Sequence, residues 1–94
     1  MATLSDEEIE QRLSAVGEWR REAGAAIARD LKFNDFRAAV AFVNEVAEAA
    51  EAANHHPDIL IHGWYKVRLT LSTHSAGGLT DADFRLAARI DELA

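Results

Sequence analysis

Ninety-four residues suffice for one domain with a single core, and a content of 49% apolar and 28% charged residues matches a soluble globular domain, not a disordered chain. The formal net charge of −6, from 16 carboxylates against 10 Lys and Arg, repels phosphate backbones and anionic lipid, so direct nucleic-acid binding is not expected. The lack of cysteine excludes disulfides, thiolate nucleophiles and sulfur-ligated metals.

The opening residues, Met1-Ala2-Thr3-Leu4-Ser5-Asp6, contain no basic leader before an apolar run. No window approaches the roughly 18 apolar residues of a membrane span, and a cytoplasmic protein is expected. Ser5 with Glu8 three residues on has capping-box spacing, and Ile9 and Leu13 follow at i,i+4, so a first helix is predicted to run to about Ala15 and to stop at Gly17. From Trp19 to Phe33, two short runs interrupted at Gly24-Ala25-Ala26 predict a hairpin, the second run placing Ile27, Arg29, Leu31 and Phe33 on one parity. Asn34 or Asp35 can cap a second helix, whose apolar stripe comprises Phe36, Ala39, Val40, Phe42, Val43, Val46, Ala47 and Ala50. Pro57 forces an exit from helical geometry by about Asn54 to His56.

Beyond Pro57, Ile59, Leu60 and Ile61 begin a strand, and Gly63 permits a turn. The next run alternates Val67, Leu69 and Leu71 with polar Lys66, Arg68, Thr70, Ser72 and His74. Gly77-Gly78 makes a loop, and Thr80-Asp81-Ala82-Asp83 opens a last helix with Phe84, Ala87, Ile90 and Leu93 inward. The order α-β-β-α-β-β-α predicts an α+β fold: a four-stranded antiparallel sheet with helices packed on one face.

Three of the four histidines, His55, His56 and His74, fall in two segments that this fold brings to comparable ends of adjacent elements. Imidazole exchanges protons near neutral pH, so the cluster suits acid/base work. Glu51 stands four residues before His55, and a helix continuing that far would let the carboxylate orient the ring. Each residue also has a structural reading. His55 and His56 can cap the helix C-terminus, His74 can be an exposed residue ending a polar strand face, and Asp83 at N3 can bond back to Thr80. Trp19 and Trp64 are core or rim aromatics by default, or else flank a planar ligand, and His62 stays with the structural reading. A zinc site is the competing chemistry. Against it, adjacent residues in extended backbone point to opposite sides, and no His-Glu-x-x-His spacing is present.

Taken together, the pattern resembles a known signature. Glu51-x-x-x-His55-His56-Pro57, then six intervening residues and Trp64, nine intervening residues and His74 within Leu71-Ser72-Thr73-His74, and Asp83 after Gly78-Leu79 are similar, in order and spacing, to the pterin-4a-carbinolamine dehydratases. That family is also known as dimerization cofactors of a homeodomain transcription factor. The likeness continues upstream through Phe33-Asn34-Asp35-Phe36 and Ala41-Phe42-Val43, covering nearly the whole chain, so a single domain over residues 1–94 is expected. Trp64-Tyr65 departs from the family's usual Tyr-Asn or similar pair, and the strand before it is one residue longer, with Gly63 a candidate bulge.

The resemblance implies dehydration of 4a-hydroxytetrahydrobiopterin, the 4a-carbinolamine, to quinonoid dihydropterin and water. This recycles the cofactor of aromatic amino acid hydroxylases without a metal or organic cofactor in the dehydratase itself. It implies His55 and His74 as the acid/base pair and His56 as the residue fixing the ring. Glu51 would orient a histidine or contact the pterin, and Asp83 would support His74 or the site's wall. Asn54, Ser72, Thr73 and Ser75 would bind the pterin beside the histidines. A homodimer or homotetramer, joined along the sheet edge and through helix packing, is also implied. A non-catalytic dimerisation or coactivator module, with a transcription-factor partner, is the alternative that the same resemblance carries.

Overall fold

The Ser5 side chain and the Glu8 side chain satisfy each other's backbone N–H groups, 3.2 and 2.9 Å, and start the first helix as a capping box. In the computed structural model, which describes residues 2–23 and 25–94, the elements are α1 (Asp6–Ala15), β1 (Arg20–Glu22), β2 (Ala26–Lys32), α2 (Phe36–Ala53), β3 (Asp58–His62), β4 (Lys66–Leu71), a 3₁₀ turn (His74–Ala76) and α3 (Asp81–Leu93). The α-β-β-α-β-β-α order is the expected one. All pairings are antiparallel, in the spatial order β1-β2-β4-β3, so β3 is a sheet edge.

Alternation builds the core. Val67, Leu69 and Leu71 of β4 and Ile27 and Leu31 of β2 are buried on one sheet face. They meet Ile9 of α1, Ala39, Phe42, Val46 and Ala50 of α2, and Phe84, Leu86, Ala87 and Ile90 of α3. Arg29 shares that parity without being apolar: it reaches Asp91 of α3 at 2.5 Å, and Trp19 Nε1 donates to the same oxygen at 2.8 Å. Trp19 is therefore a buried anchor between the first hairpin and α3, not a ligand platform.

Several details differ from the sequence reading. Gly24 lies outside the described residues, and Ala26 belongs to β2, paired with Glu22, so it does not interrupt the hairpin. Helix α1 ends at Ala15 as expected, although Val16 and not Gly17 is its C-cap. Asp35, not Asn34, caps α2, its Oδ1 accepting from the Ala38 N–H at 2.8 Å. The apolar stripe of α2 is wider than the face it buries, leaving Phe36 54% exposed and Ala47 exposed. Strand β4 ends at Leu71, so His74 opens a 3₁₀ turn and does not extend a strand face. Gly63 and Trp64 both take positive φ in the β3–β4 turn, with Trp64 66% exposed at the hairpin end remote from Asp58 and Leu71.

Ion pairs fasten the periphery. Arg12 of α1 pairs with Asp81 at the start of α3; its hydrogen bond, with Arg85 adding to the field, holds that carboxyl below the usual aspartate range. On the open sheet face Asp30 accepts from Arg68 and Arg20, each at 2.8 Å, and the Arg68 bond is the largest cause of its lowered pKa. Such carboxylates contribute stability that is present above their unfolded pKa and lost as pH falls through the depressed folded value. Each lies at the surface, so each share is small. The urea midpoint should therefore fall as pH drops through and below the ordinary carboxylate range. Asp30→Asn should be less stable than the native chain at neutral pH and converge on it in acid; a gap that persists in acid would contradict this account.

Candidate active site

The segments that follow α2 and β4 meet around one shallow cavity of about 250 Å³, lined by Asn54, His55, His56, Ser72, Thr73, His74 and Ser75. Larger depressions lie between α2 and α3, about 490 Å³, and on the outer face of α2, about 390 Å³, but neither is lined by histidine. Chemistry rather than size marks the smaller one as the candidate.

Asn54 sets the geometry. It ends α2 in the left-handed region, φ 50° and ψ 42°, which Asn tolerates better than most side chains, and the His55 N–H closes the turn on the Ala50 carbonyl at 3.1 Å. The helix therefore does not carry Glu51 and His55 onto a shared face. Glu51 Oε2 instead bonds His56 Nε2 on the surface, with the two side chains 74% and 59% exposed. His55 turns inward, and its Nε2 meets Asp83 Oδ1 at 2.6 Å, with the carboxylate fully buried.

Asp83 is held from three directions. Its Oδ2 accepts from Thr73 Oγ1 at 2.8 Å and from the Thr80 N–H at 2.9 Å, while Oδ1 faces His55. Position N3 of α3 adds the positive end of the helix dipole, and His55, just past the C-terminus of α2, lies at a negative end. A carboxylate with N–H and O–H donors on one oxygen accepts on the other as well, which assigns the proton to His55 Nε2 and leaves Nδ1 without one in the neutral ring.

Two supports take one of the alternatives expected of them. Asp83 backs the wall of the site at His55 and not His74, and Glu51 contacts a histidine, His56, and not the His55 of the i,i+4 spacing; neither carboxylate lines the cavity. Among the described residues His74 is exposed and its side chain makes no hydrogen bond. Of the flanking hydroxyls, Ser72 Oγ donates to the Ala25 carbonyl at 2.9 Å, Thr73 is turned inward, and Ser75 stays exposed. Thr80 had no assigned part beyond capping, yet its N–H and hydroxyl both enter the Asp83 network. The Thr-x-x-Asp spacing signalled the cap but not the histidine beyond it. No group of three or more His, Cys, Asp or Glu among the described residues is arranged to hold a metal ion.

A small α+β domain with a polar, carboxylate-backed histidine cavity belongs to the class of sites that move protons. The sequence profile of the pterin 4 alpha carbinolamine dehydratase family matches residues 2–93. A protein of Acidobacterium capsulatum, provisionally named a pterin-4-alpha-carbinolamine dehydratase, is 55% identical over 93 residues, covering 99% of each chain. The crystal structure of a transcriptional coactivator/pterin dehydratase from Brucella melitensis superposes with a TM-score of 0.91 at 34% identity, over 98% of both chains. A pterin dehydratase-like protein described as a RuBisCO assembly factor of the alpha-carboxysome matches at 0.68 and 28% identity, over 82% of this chain and 89% of its own. The chain belongs to the pterin 4 alpha carbinolamine dehydratase family.

Asp83→Asn would put an amide N–H₂ among donors that need an acceptor. It should cost about 1–3 kcal/mol of unfolding free energy, whereas Glu51→Gln at the exposed pair should leave stability near native. Urea denaturation measures both, and equal stabilities would contradict the buried network.

Proposed function

We infer that this chain dehydrates a 4a-hydroxytetrahydropterin to the quinonoid dihydropterin and water. The observation that carries the reading is one cavity lined by His55, His56 and His74, with His55 backed by buried Asp83. Family membership over residues 2–93 supplies the substrate class. In the reaction the C4a–O bond breaks and the hydroxyl leaves as water with a proton from an acid. The adjacent ring nitrogen forms the double bond to C4a, and a ring N–H proton passes to a base.

His55 and His74 are the acid/base pair. His55 exchanges its proton through Nδ1 while Asp83 holds Nε2, and His74, on its exposed turn, serves the other side of the ring. His56 fixes the pterin with Glu51 behind it, and Asn54 and Ser75 bind the ring's edge. Two imidazoles suffice for this proton traffic, so no step calls for a metal or an organic cofactor. The setting is the cytoplasm, where the product returns to the pterin pool of an aromatic amino acid hydroxylase.

Added to a hydroxylase that releases the 4a-carbinolamine, the chain should accelerate its loss, with or without a chelator. His55→Ala and His74→Ala should each cut that acceleration by about 10²-fold, the lower end for a positioned acid or base, while circular dichroism stays native. Decay at the spontaneous rate with the native chain would overturn the enzyme reading in favour of a non-catalytic interaction module.

Self-association accompanies this activity. Edge strand β3 leaves Ile59 37% and Leu60 51% exposed, and Phe36 projects from α2. Antiparallel pairing of two copies about Leu60 would cover the unpaired edge and set Asp58 of one against the partner's His62. Sedimentation should give a dimer or tetramer, and Leu60→Glu should shift it toward monomer. A monomeric native chain would contradict the assembly.

A further inference from the structure

Thr73 precedes His74 and is linked through Asp83 to His55, and its hydroxyl is committed to bonds inside the protein. The residue is 7% exposed, and Oγ1 lies 2.8 Å from both Asp83 Oδ2 and Thr80 Oγ1. A hydroxyl has one proton to donate. Asp83 as a carboxylate can only accept, so the Thr73 proton goes to Asp83 and the Thr80 hydroxyl donates to Thr73. The result is a directed chain, Thr80 to Thr73 to Asp83, met from the other side by His55 Nε2–H.

The backbone of the same residue shapes the other half of the site. Its carbonyl accepts from Ala76 and Gly77, each at 3.0 Å, and its N–H donates to the Gly78 carbonyl at 3.1 Å. These bonds close the turn on which His74 sits. One residue thus fixes a side-chain relay to His55 and a backbone turn under His74.

We propose that Thr73 is a positioning residue of the dehydration site, its hydroxyl locking Asp83 so that His55 is held in one tautomer with Nδ1 presented to the pterin. The proposal rests on the dehydratase reading for its kinetic consequence but not for its structural one. A Thr73 that contacted substrate directly would affect binding first. A positioning Thr73 affects kcat, because a misaimed ring loses the transition state more than the bound ground state.

The test uses the full chain with Thr73→Val, Thr73→Ser and Thr73→Cys, Cys being a weak donor of similar size. Thr73→Val should lower kcat about 10-fold or more, with KM changed less than about twofold, and should move the pH profile of kcat. Imidazole ¹⁵N spectra should show the His55 Nε2–H tautomer lost in Thr73→Val and kept in Thr73→Ser, which should also restore kcat. If Thr73→Val does not fold, the contrast between Ser and Cys carries the same readouts. Native kcat and a native His55 tautomer in the variant lacking the hydroxyl, or in Cys, would overturn the proposal. A tautomer lost in a chain that never accelerated dehydration would instead refute the dehydratase reading and leave the positioning of His55 standing.

Discussion

A carboxylate with no solvent exposure is the constraint around which the rest is arranged. Burying the Asp83 charge costs several kcal/mol unless donors surround it. The fold offsets this with the Thr73 hydroxyl after β4, the Thr80 N–H at the start of α3 and the His55 ring after α2. Each donor dictates where its element stops or starts. If α2 ran another turn, His55 would swing away; Thr73, two residues past Leu71, keeps that residue's inward parity and so reaches Asp83. The cavity forms beside this convergence, so satisfying one buried charge also fixes the ring of His55, the residue proposed above to carry a proton.

The two histidine–carboxylate pairs of the site then differ in kind. His56 and Glu51 face each other in water, where an ion pair at contact distance is worth about 1 kcal/mol or less and both side chains keep much of their rotamer freedom. His55, 15% exposed, is bonded to a fully buried partner. A ring that remains mobile can adapt to a ligand's edge. A ring held in one tautomer can meet a reacting atom without reorganising first. The division of labour proposed for them, one binding and one carrying a proton, would follow from this difference in burial, even though the two residues are neighbours in the chain.

Much of this was legible in the chain of residues. Strict alternation in Val67, Leu69 and Leu71 declared the buried face of β4, and Ser5-x-x-Glu8 declared the start of α1, because both signals act within a few residues. The element order followed from them. The supports of the site were not legible in the same way. An i,i+4 spacing ties Glu51 to His55 only if the helix persists, and a single residue, Asn54 in the left-handed region, redirects both partners. Asp83 lies 28 positions from His55, and no local pattern pairs them. The tryptophans were ambiguous for a related reason: composition cannot say that Asp91 waits to accept from Trp19, nor that Trp64 sits in a turn at the other end of the hairpin.

The sheet and its helices do not by themselves account for the chemistry. A solved neighbour at a TM-score of 0.68 is described as an assembly factor, so related topologies serve ends other than dehydration. What this chain adds to the topology is the run of bonds from Thr80 through Asp83 to His55, beside the turn bearing His74. The cavity is too shallow to bury much of a bicyclic ligand and offers mostly polar side chains, so affinity from apolar contact is limited. For the dehydration proposed above, rate enhancement would then come from aiming donors and acceptors at one carbon–oxygen bond and one ring nitrogen. That aim would need rigidity at His55 more than an enclosing pocket, and a fully bonded, fully buried carboxylate is a direct way for so small a fold to provide it.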